Sequence, residues 1–435
     1  MVINTVAGLT SFTFLFWLTI FCCAVNAATT TEHAISTRPS PQSHTELLSE
    51  DQEITLSVFP AEGRYLLLWI APSYGFHKGH TDIAWRLADR GMEVWQADIA
   101  DALFLPRNSM SMRSLTGVYV ADLIERAHQK TGKKVVLVSG SYGAIPVLRG
   151  ARLWQLRKPA EPYFIGAILF SPSLYTSVPP LGKDPDYVPI TKATNIPIMV
   201  FQGAKHGNRW QLQPLVAALQ NSGSQVYAEI MDNVAGLFFD QPLSPEAQAL
   251  FNNLPNKIKN TLRLLDNTPM PLVALDLTDP EQVADKGIDI SLKPFQGDPK
   301  PHPIKLYDAN AKQFNIENYQ GKTTLVNFWA SWCKPCVKEI PSLNRLRQHM
   351  ADKNFRLISI NYAEEPAVIK EFMENVKVEF PVLIDRNGKE SAKWKVIAFP
   401  STFVIGPDGK IHYGVNAAIH WDSDSVINTL EELSN

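Results

Sequence analysis

VNFWASWCKPCVKEIP, Val326 to Pro341, sets two cysteines three positions apart in a chain that holds four in all. The run ahead of them, Thr323 to Ala330, is apolar and short, as a buried strand is. From Cys333 onward Val337, Ile340, Leu343 and Leu346 recur at helical spacing. A strand that runs at once into a helix leaves Cys333 at the helix N-terminus. There the free backbone N–H groups and the helix dipole favour a thiolate. Lys334 adds a positive charge beside it. Pro335 suits the first helical turn, where its missing N–H has no partner to lose, and Pro341 is expected to kink the helix further along. Cys336 can reach back to Cys333 from a less exposed position.

Three explanations compete for the pair. Structural zinc wants four ligands, and no second cysteine or histidine pair lies nearby. As a stabilising crosslink the pair is poorly placed. Loop entropy extrapolated to so short a loop gives about 2 kcal/mol, against about 3 for fifteen residues. Redox chemistry is the reading that the neighbours fit.

The same segment resembles the active-site stretch of thioredoxin-like proteins, specifically the exported TlpA/ResA type: strand, Trp-Cys-x-Pro-Cys, then a helix containing proline. The resemblance covers residues 304–435. It implies a thioredoxin fold, thiol–disulfide exchange at Cys333 and Cys336, and no cofactor beyond the redox-active disulfide. The family places a cis-proline opposite its cysteines, and Phe399-Pro400-Ser401-Thr402-Phe403 matches that loop, which makes Pro400 the candidate. Such a proline exposes backbone for a substrate strand and crowds the sulfurs against metal. The family also uses a glutamate shortly after the second cysteine in proton transfer, and Glu339 matches it; the alternative is a solvated charge on the helix surface. Ordinary thioredoxin has a buried aspartate where Asn327 stands, which shifts proton handling towards Glu339. The implied partners are protein disulfides and a membrane electron donor, because oxidising compartments otherwise leave such a pair as the disulfide.

An α/β fold is expected along the whole chain, as an α/β-hydrolase-like, mostly parallel sheet domain followed by a thioredoxin-fold domain. With roughly 150 residues per domain, the chain has room for two or three. Hydrophobic residues at 45% and charged ones at 19% describe a globular protein. With 41 basic and 43 acidic residues the formal charge is -2, so no broad positive field suits nucleic acid. The expected divisions are a signal peptide at 1–27, a flexible lead-in at 28–45, a first domain at 46–267, a proline-crowded linker at 268–303 and the second domain at 304–435.

Met1 to Thr31 carry no charged side chain, Phe12 to Val25 form a dense apolar run, and Val25-Asn26-Ala27 offers small residues for signal-peptidase cleavage. No Lys or Arg precedes the run. An uncleaved anchor is the alternative, since about 20 apolar residues span a bilayer; a buried core helix is a blander one. Ile20-Phe21 before Cys22 does not suit a lipid-attachment box. Cleavage after Ala27 leaves Cys333 and Cys336 as the mature cysteines. The family resemblance implies a periplasmic location, or an inner-membrane anchor facing the periplasm.

In the first domain, apolar runs at 65–71, 91–98, 133–139, 164–171, 196–203 and 224–231 alternate with helical patterns, which implies a mostly parallel sheet covered on both faces. Ser139, Ser141 and Gly143 follow the third run as small-x-Ser-x-small. This resembles the nucleophile elbow of α/β-hydrolases, where a tight strand-to-helix turn presents a serine. Backbone near Ser73 to Gly75, with Tyr142, stands where such folds build the oxyanion hole. The family's acid and histidine should follow the later strands. Yet Ala204-Lys205-His206-Gly207 holds no carboxylate, and no histidine lies between His206 and His302. A serine needs an adjacent base, and no imidazole is expected within reach of Ser141; His77, His80 and His206 read as loop or surface histidines. Two readings therefore stand. One is an exported disulfide reductase whose first domain binds or spaces. The other is a serine hydrolase, an esterase or peptidase using Ser141, with a thioredoxin-like accessory.

Overall fold

Residues 39–159, 161–235, 243–277 and 290–434 are described in the computed structural model. The apolar run and cleavage motif expected to act as an export signal lie outside them. Among the described residues the strands make two eight-stranded sheets, and residues 43–435 form one compact unit. No helix among them is long and apolar enough to cross a membrane.

The first sheet is built from β1 (Gln42–Leu47), β2 (Glu53–Phe59), β3 (Tyr65–Ile70), β4 (Met92–Ala97), β5 (Lys134–Gly140), β6 (Phe164–Phe170), β7 (Ile198–Gly203) and β8 (Val226–Met231). Their order is β1-β2-β4-β3-β5-β6-β7-β8. β2 runs antiparallel to β4, while β3 to β8 pair in parallel. Every residue of β3 is buried, because both faces are covered. Leu66, Leu68 and Ile70 face a core shared with helices Val118–Thr131 and Ala144–Arg157. Tyr65, Leu67 and Trp69 face another, closed by helices Lys78–Ala88 and Pro245–Asp266. Burying each large side chain contributes about 1.5–3 kcal/mol.

Three elements correct the sequence reading here. β1 begins inside the stretch read as a flexible lead-in, since its alternating, largely exposed residues carry little apolar signal for an edge strand. β2 turns Ile54, Leu56 and Val58 into one core between the more exposed Glu53, Thr55 and Ser57, and only Phe59 enters the opposite core, a period-2 pattern that differs from a solid apolar run. Helix Pro245–Asp266, capped by Ser244, lays Phe251, Leu254, Ile258, Leu262 and Leu265 on the sheet.

The second sheet comprises β9 (Lys293–Pro294), β10 (Ile304–Asp308), β11 (Gln313–Ile316), β12 (Thr323–Trp329), β13 (Phe355–Tyr362), β14 (Val382–Asp385), β15 (Ser401–Ile405) and β16 (Ile411–Val415). The order is β11-β10-β14-β13-β12-β15-β16-β9. β12 is central and wholly buried, parallel to β13 and antiparallel to β15. Its Leu325 and Trp329 meet Ile340, Leu343 and Leu346 of helix Lys334–His349, while Val326 and Phe328 face the opposite core. β9 lies in the stretch read as linker. It pairs with Tyr413 and Gly414 at a sheet edge, where proline is tolerated because no inward N–H is required. The front of that stretch is also tied down: Gln155 and Arg152 donate to the carbonyls of Pro271 (2.7 Å) and Leu275 (2.8 Å).

The turn after β5 demands a residue without a Cβ. A Cβ on Gly143 lies 2.3 Å from Ser139 Oγ and 2.8 Å from the Ala71 carbonyl oxygen. Gly143→Ala is therefore expected to cost about 1–3 kcal/mol, read as a lowered urea midpoint. An unmoved midpoint contradicts this packing.

Candidate active site

β12 ends at Trp329, and four residues later Cys333 caps helix Lys334–His349. The Cys336 N–H donates to Cys333 Sγ at 3.3 Å, which is the capping interaction an N-terminal side chain supplies. The two sulfurs are joined as a disulfide, with Cα atoms 5.3 Å apart. Cys333 is 6% exposed and Cys336 1%, so both are buried and Cys333 is the more open of the two. Lys334 and Pro335 are exposed beside it, and Pro341 lies inside the helix.

The turn before the dithiol is pinned by Glu364, which sequence reasoning missed. Its buried carboxylate accepts from the Ser331 N–H (2.8 Å), the Ser331 hydroxyl and Asn361 Nδ2 (2.7 Å). Nothing in local spacing announces it, since it reaches back from beyond β13 across 33 positions.

The Phe399–Pro400 peptide is cis. β15 starts immediately after it, and Ser401 pairs with Phe328 near the end of β12. Pro400 thus stands at the same end of the sheet as Cys333. The Phe399 ring lies 5.9 Å from that of Trp332, the residue preceding Cys333.

Glu339 is not a surface charge: only 3% of it is exposed, one helical turn beyond Cys336. Asn327 Nδ2 donates to one carboxyl oxygen at 2.9 Å, Trp421 Nε1 to the other at 3.2 Å, and the Ile419 backbone N–H adds a third donor. Asn327 is also 2.9 Å from Thr402 Oγ1, which ties the carboxyl to the strand that follows Pro400. Burial outweighs those donors and pushes the carboxyl up to about 7. Cys333, Cys336 and Trp421 belong to one apolar cluster, with Phe399 and Ile419 packed against it.

Ser141 stands apart, between β5 and helix Ala144–Arg157, with φ of 51°. Its carbonyl accepts from the Ser173 N–H at 3.0 Å. Among the described residues, no imidazole hydrogen-bonds to its hydroxyl. His80 Nδ1 instead accepts from the His77 N–H at 2.9 Å, and His206 Nδ1 lies 2.6 Å from Asn208 Oδ1. Desolvation holds the His206 imidazole below its usual range. Among the described residues, no group of three or more His, Cys, Asp and Glu is arranged to hold a metal.

Residues 285–414, which span this dithiol, match the sequence model of the AhpC/TSA family. The protein named thiol-disulfide oxidoreductase ResA from Bacillus thuringiensis is 35% identical over 104 residues, 24% of this chain and 60% of that one. The protein of the same name from Bacillus subtilis is 32% identical over 106 residues, 24% of this chain and 59% of that one. The chain therefore spans about 60% of the length of these relatives. Solved structures similar to it include a putative thiol:disulfide interchange protein DsbE from Chlorobium tepidum, at 23% identity, covering 33% of this chain and 100% of that one with a TM-score of 0.30. StoA from Bacillus subtilis is 22% identical, over 31% of this chain and 98% of its own, with a TM-score of 0.27. The similarity to the curated relatives lies in the part of the chain that carries Cys333 and Cys336.

The raised Glu339 fixes a sign. Its proton is bound more tightly folded than unfolded, so its stabilising contribution is complete below about 4.5 and is lost as pH rises through about 7. Between pH 5 and pH 8 the oxidised protein should lose on the order of 2 kcal/mol that Glu339→Gln does not lose. Parallel denaturation curves for the two proteins across that range contradict the assignment.

Proposed function

We propose that the chain is a thiol–disulfide oxidoreductase that reduces protein disulfides after export, with Cys333 as attacking sulfur and Cys336 as resolving sulfur. One observation carries this reading: a cysteine caps a helix beside a cis-proline, with a buried carboxyl of raised pKa one turn beyond its partner. In the reduced protein the Cys333 thiolate attacks one sulfur of a substrate disulfide. A Cys333–substrate bond forms, and the other substrate sulfur leaves as a thiolate that takes up a proton. Cys336 then gives its proton to the Glu339 carboxylate, directly or through water, and attacks Cys333 Sγ. The second substrate sulfur leaves, the protein disulfide re-forms, and two electrons have passed to the substrate. Glu339 serves as base only when ionised, so the resolving step speeds up as pH rises through about 7.

The sheet carrying the dithiol is read as a thioredoxin fold and the first sheet as α/β-hydrolase-like. For the latter, its strand order, with β4 between β2 and β3, and the left-handed serine at a strand–turn–helix junction give support. We read that half as non-catalytic, because Ser141 has no imidazole partner among the described residues and the sequence has no histidine between His206 and His302. Export rests on the uncharged, apolar N-terminus. A membrane-borne donor of electrons is proposed because the pair would otherwise stay oxidised in such a compartment.

Insulin reduction by the reduced protein tests the chemistry. Cys333→Ser should abolish it, Ser141→Ala should leave it within about twofold, and Glu339→Gln should lose about tenfold at pH 8 together with the limb near pH 7. Full activity in Cys333→Ser defeats the assignment. Alkylation of fractionated cells tests compartment and recycling together: the pair should be found outside the cytosol and mostly reduced. A cytosolic pair contradicts export, and an exported but fully oxidised pair contradicts the donor.

A further inference from the structure

The first half of the chain meets the second at the cis-proline loop. At Gly207 no side chain fits, since a Cβ there lies 2.7 Å from the Ile397 carbonyl oxygen and 3.1 Å from Phe399 Cε2. Two hydrogen bonds clamp this contact. Tyr362 Oη donates to the His206 carbonyl at 2.9 Å, and Trp210 Nε1 donates to the Gly388 carbonyl at 3.1 Å. The Phe399 ring is 4.7 Å from that of Tyr362 and 5.9 Å from that of Trp332. The segment 206–210 therefore abuts the residue before Pro400, which itself touches the residue before Cys333.

The segment is held as firmly from behind. Asn208 is buried, donates to the Pro172 carbonyl at 2.9 Å, and accepts from Gln202 Nε2 at 2.9 Å. A second tie grips the far end of the same loop. Asn416 donates to the Pro179 carbonyl at 2.7 Å and accepts from the hydroxyl of Ser401, the residue after Pro400. Leu181 is buried in the core of the second sheet, and Lys395 pairs with Asp184 at 2.7 Å.

We propose that the segment 206–210 is a specificity element: a fixed wall beside Phe399-Pro400 that narrows the approach to Cys333. This rests on the disulfide-exchange reading. The favoured substrate is a disulfide on an extended, flexible segment, which needs a groove and free backbone. A disulfide on a rigid globular surface is disfavoured, because a specific protein–protein contact commonly needs about 800 Å² on each partner, and the wall backs the Phe399 side of the loop that faces Trp332. Gly207 is the position that brings the wall into backbone contact with the loop.

The test compares kcat/KM for a short linear peptide bearing a mixed disulfide with that for a folded protein bearing the same mixed disulfide at a rigid surface cysteine. Wild type should prefer the peptide by at least tenfold. Gly207→Ala, which must push the wall off the loop, should cut that preference at least fivefold. Trp210→Phe, which removes one clamp without adding atoms, should cut it in the same direction by less. Thermal unfolding checks that each variant is folded, and Trp210→Phe decides the matter should Gly207→Ala fail to fold. A preference unchanged in the folded variants overturns the wall. Failure of the wild type to reduce either substrate overturns the underlying exchange chemistry instead.

Discussion

A carboxyl group held in an apolar core beneath a dithiol is the constraint around which the second sheet is organised. Leaving such a group unpartnered is costly, and here each oxygen meets a donor from a different element. Asn327 comes from the central strand, Trp421 from the segment before the last helix, and the Ile419 N–H from the same segment. Those donors favour the charged form, but burial prevails. The outcome is a carboxyl that exchanges its proton near neutrality, one helical turn beyond Cys336. Asn327 fits this role better than an aspartate would, because a second carboxylate at its position would add like-charge repulsion to the same buried space.

The elements that deliver the cysteines are equally constrained. β12 is buried on both faces, and its alternating side chains lock it between two cores. Cys333 follows from that placement, and Glu364 fixes the intervening turn through Ser331. The first half meets the cis-proline loop at Gly207, accepts from Asn416 at the Pro179 carbonyl, and reaches the turn at Gly388 through Trp210.

How much of this was legible in the sequence depends on distance along the chain. Cys333, Cys336 and the helix after them are local: three residues of spacing and a strand-to-helix switch describe them. Pro400 and Glu339 came into view through resemblance, and the burial of Glu339 had no local sign, because its partner Trp421 is 82 positions away. Glu364 and the wall around Gly207 were invisible for the same reason; Tyr362 meets His206 across 156 positions. The solid apolar strands β3 to β7 were easy to see. The alternating β2, the polar edge strand β1 and the two-residue edge strand β9 were not: β2 interleaves apolar and polar residues, and an edge strand owes its place to a neighbour's hydrogen bonds and not to its own hydrophobicity.

The central claim is that Cys333, and not Cys336, is the ionised and accessible sulfur. Iodoacetamide labelling of the fully reduced protein from pH 5 to pH 9, with each cysteine followed by peptide mass, tests it most directly. Cys333 should label first, along a curve centred well below the value of about 8.5 for a free thiol, while Cys336 lags at every pH. Equal labelling of the two cysteines, or a Cys333 curve centred at the free-thiol value, would contradict the account.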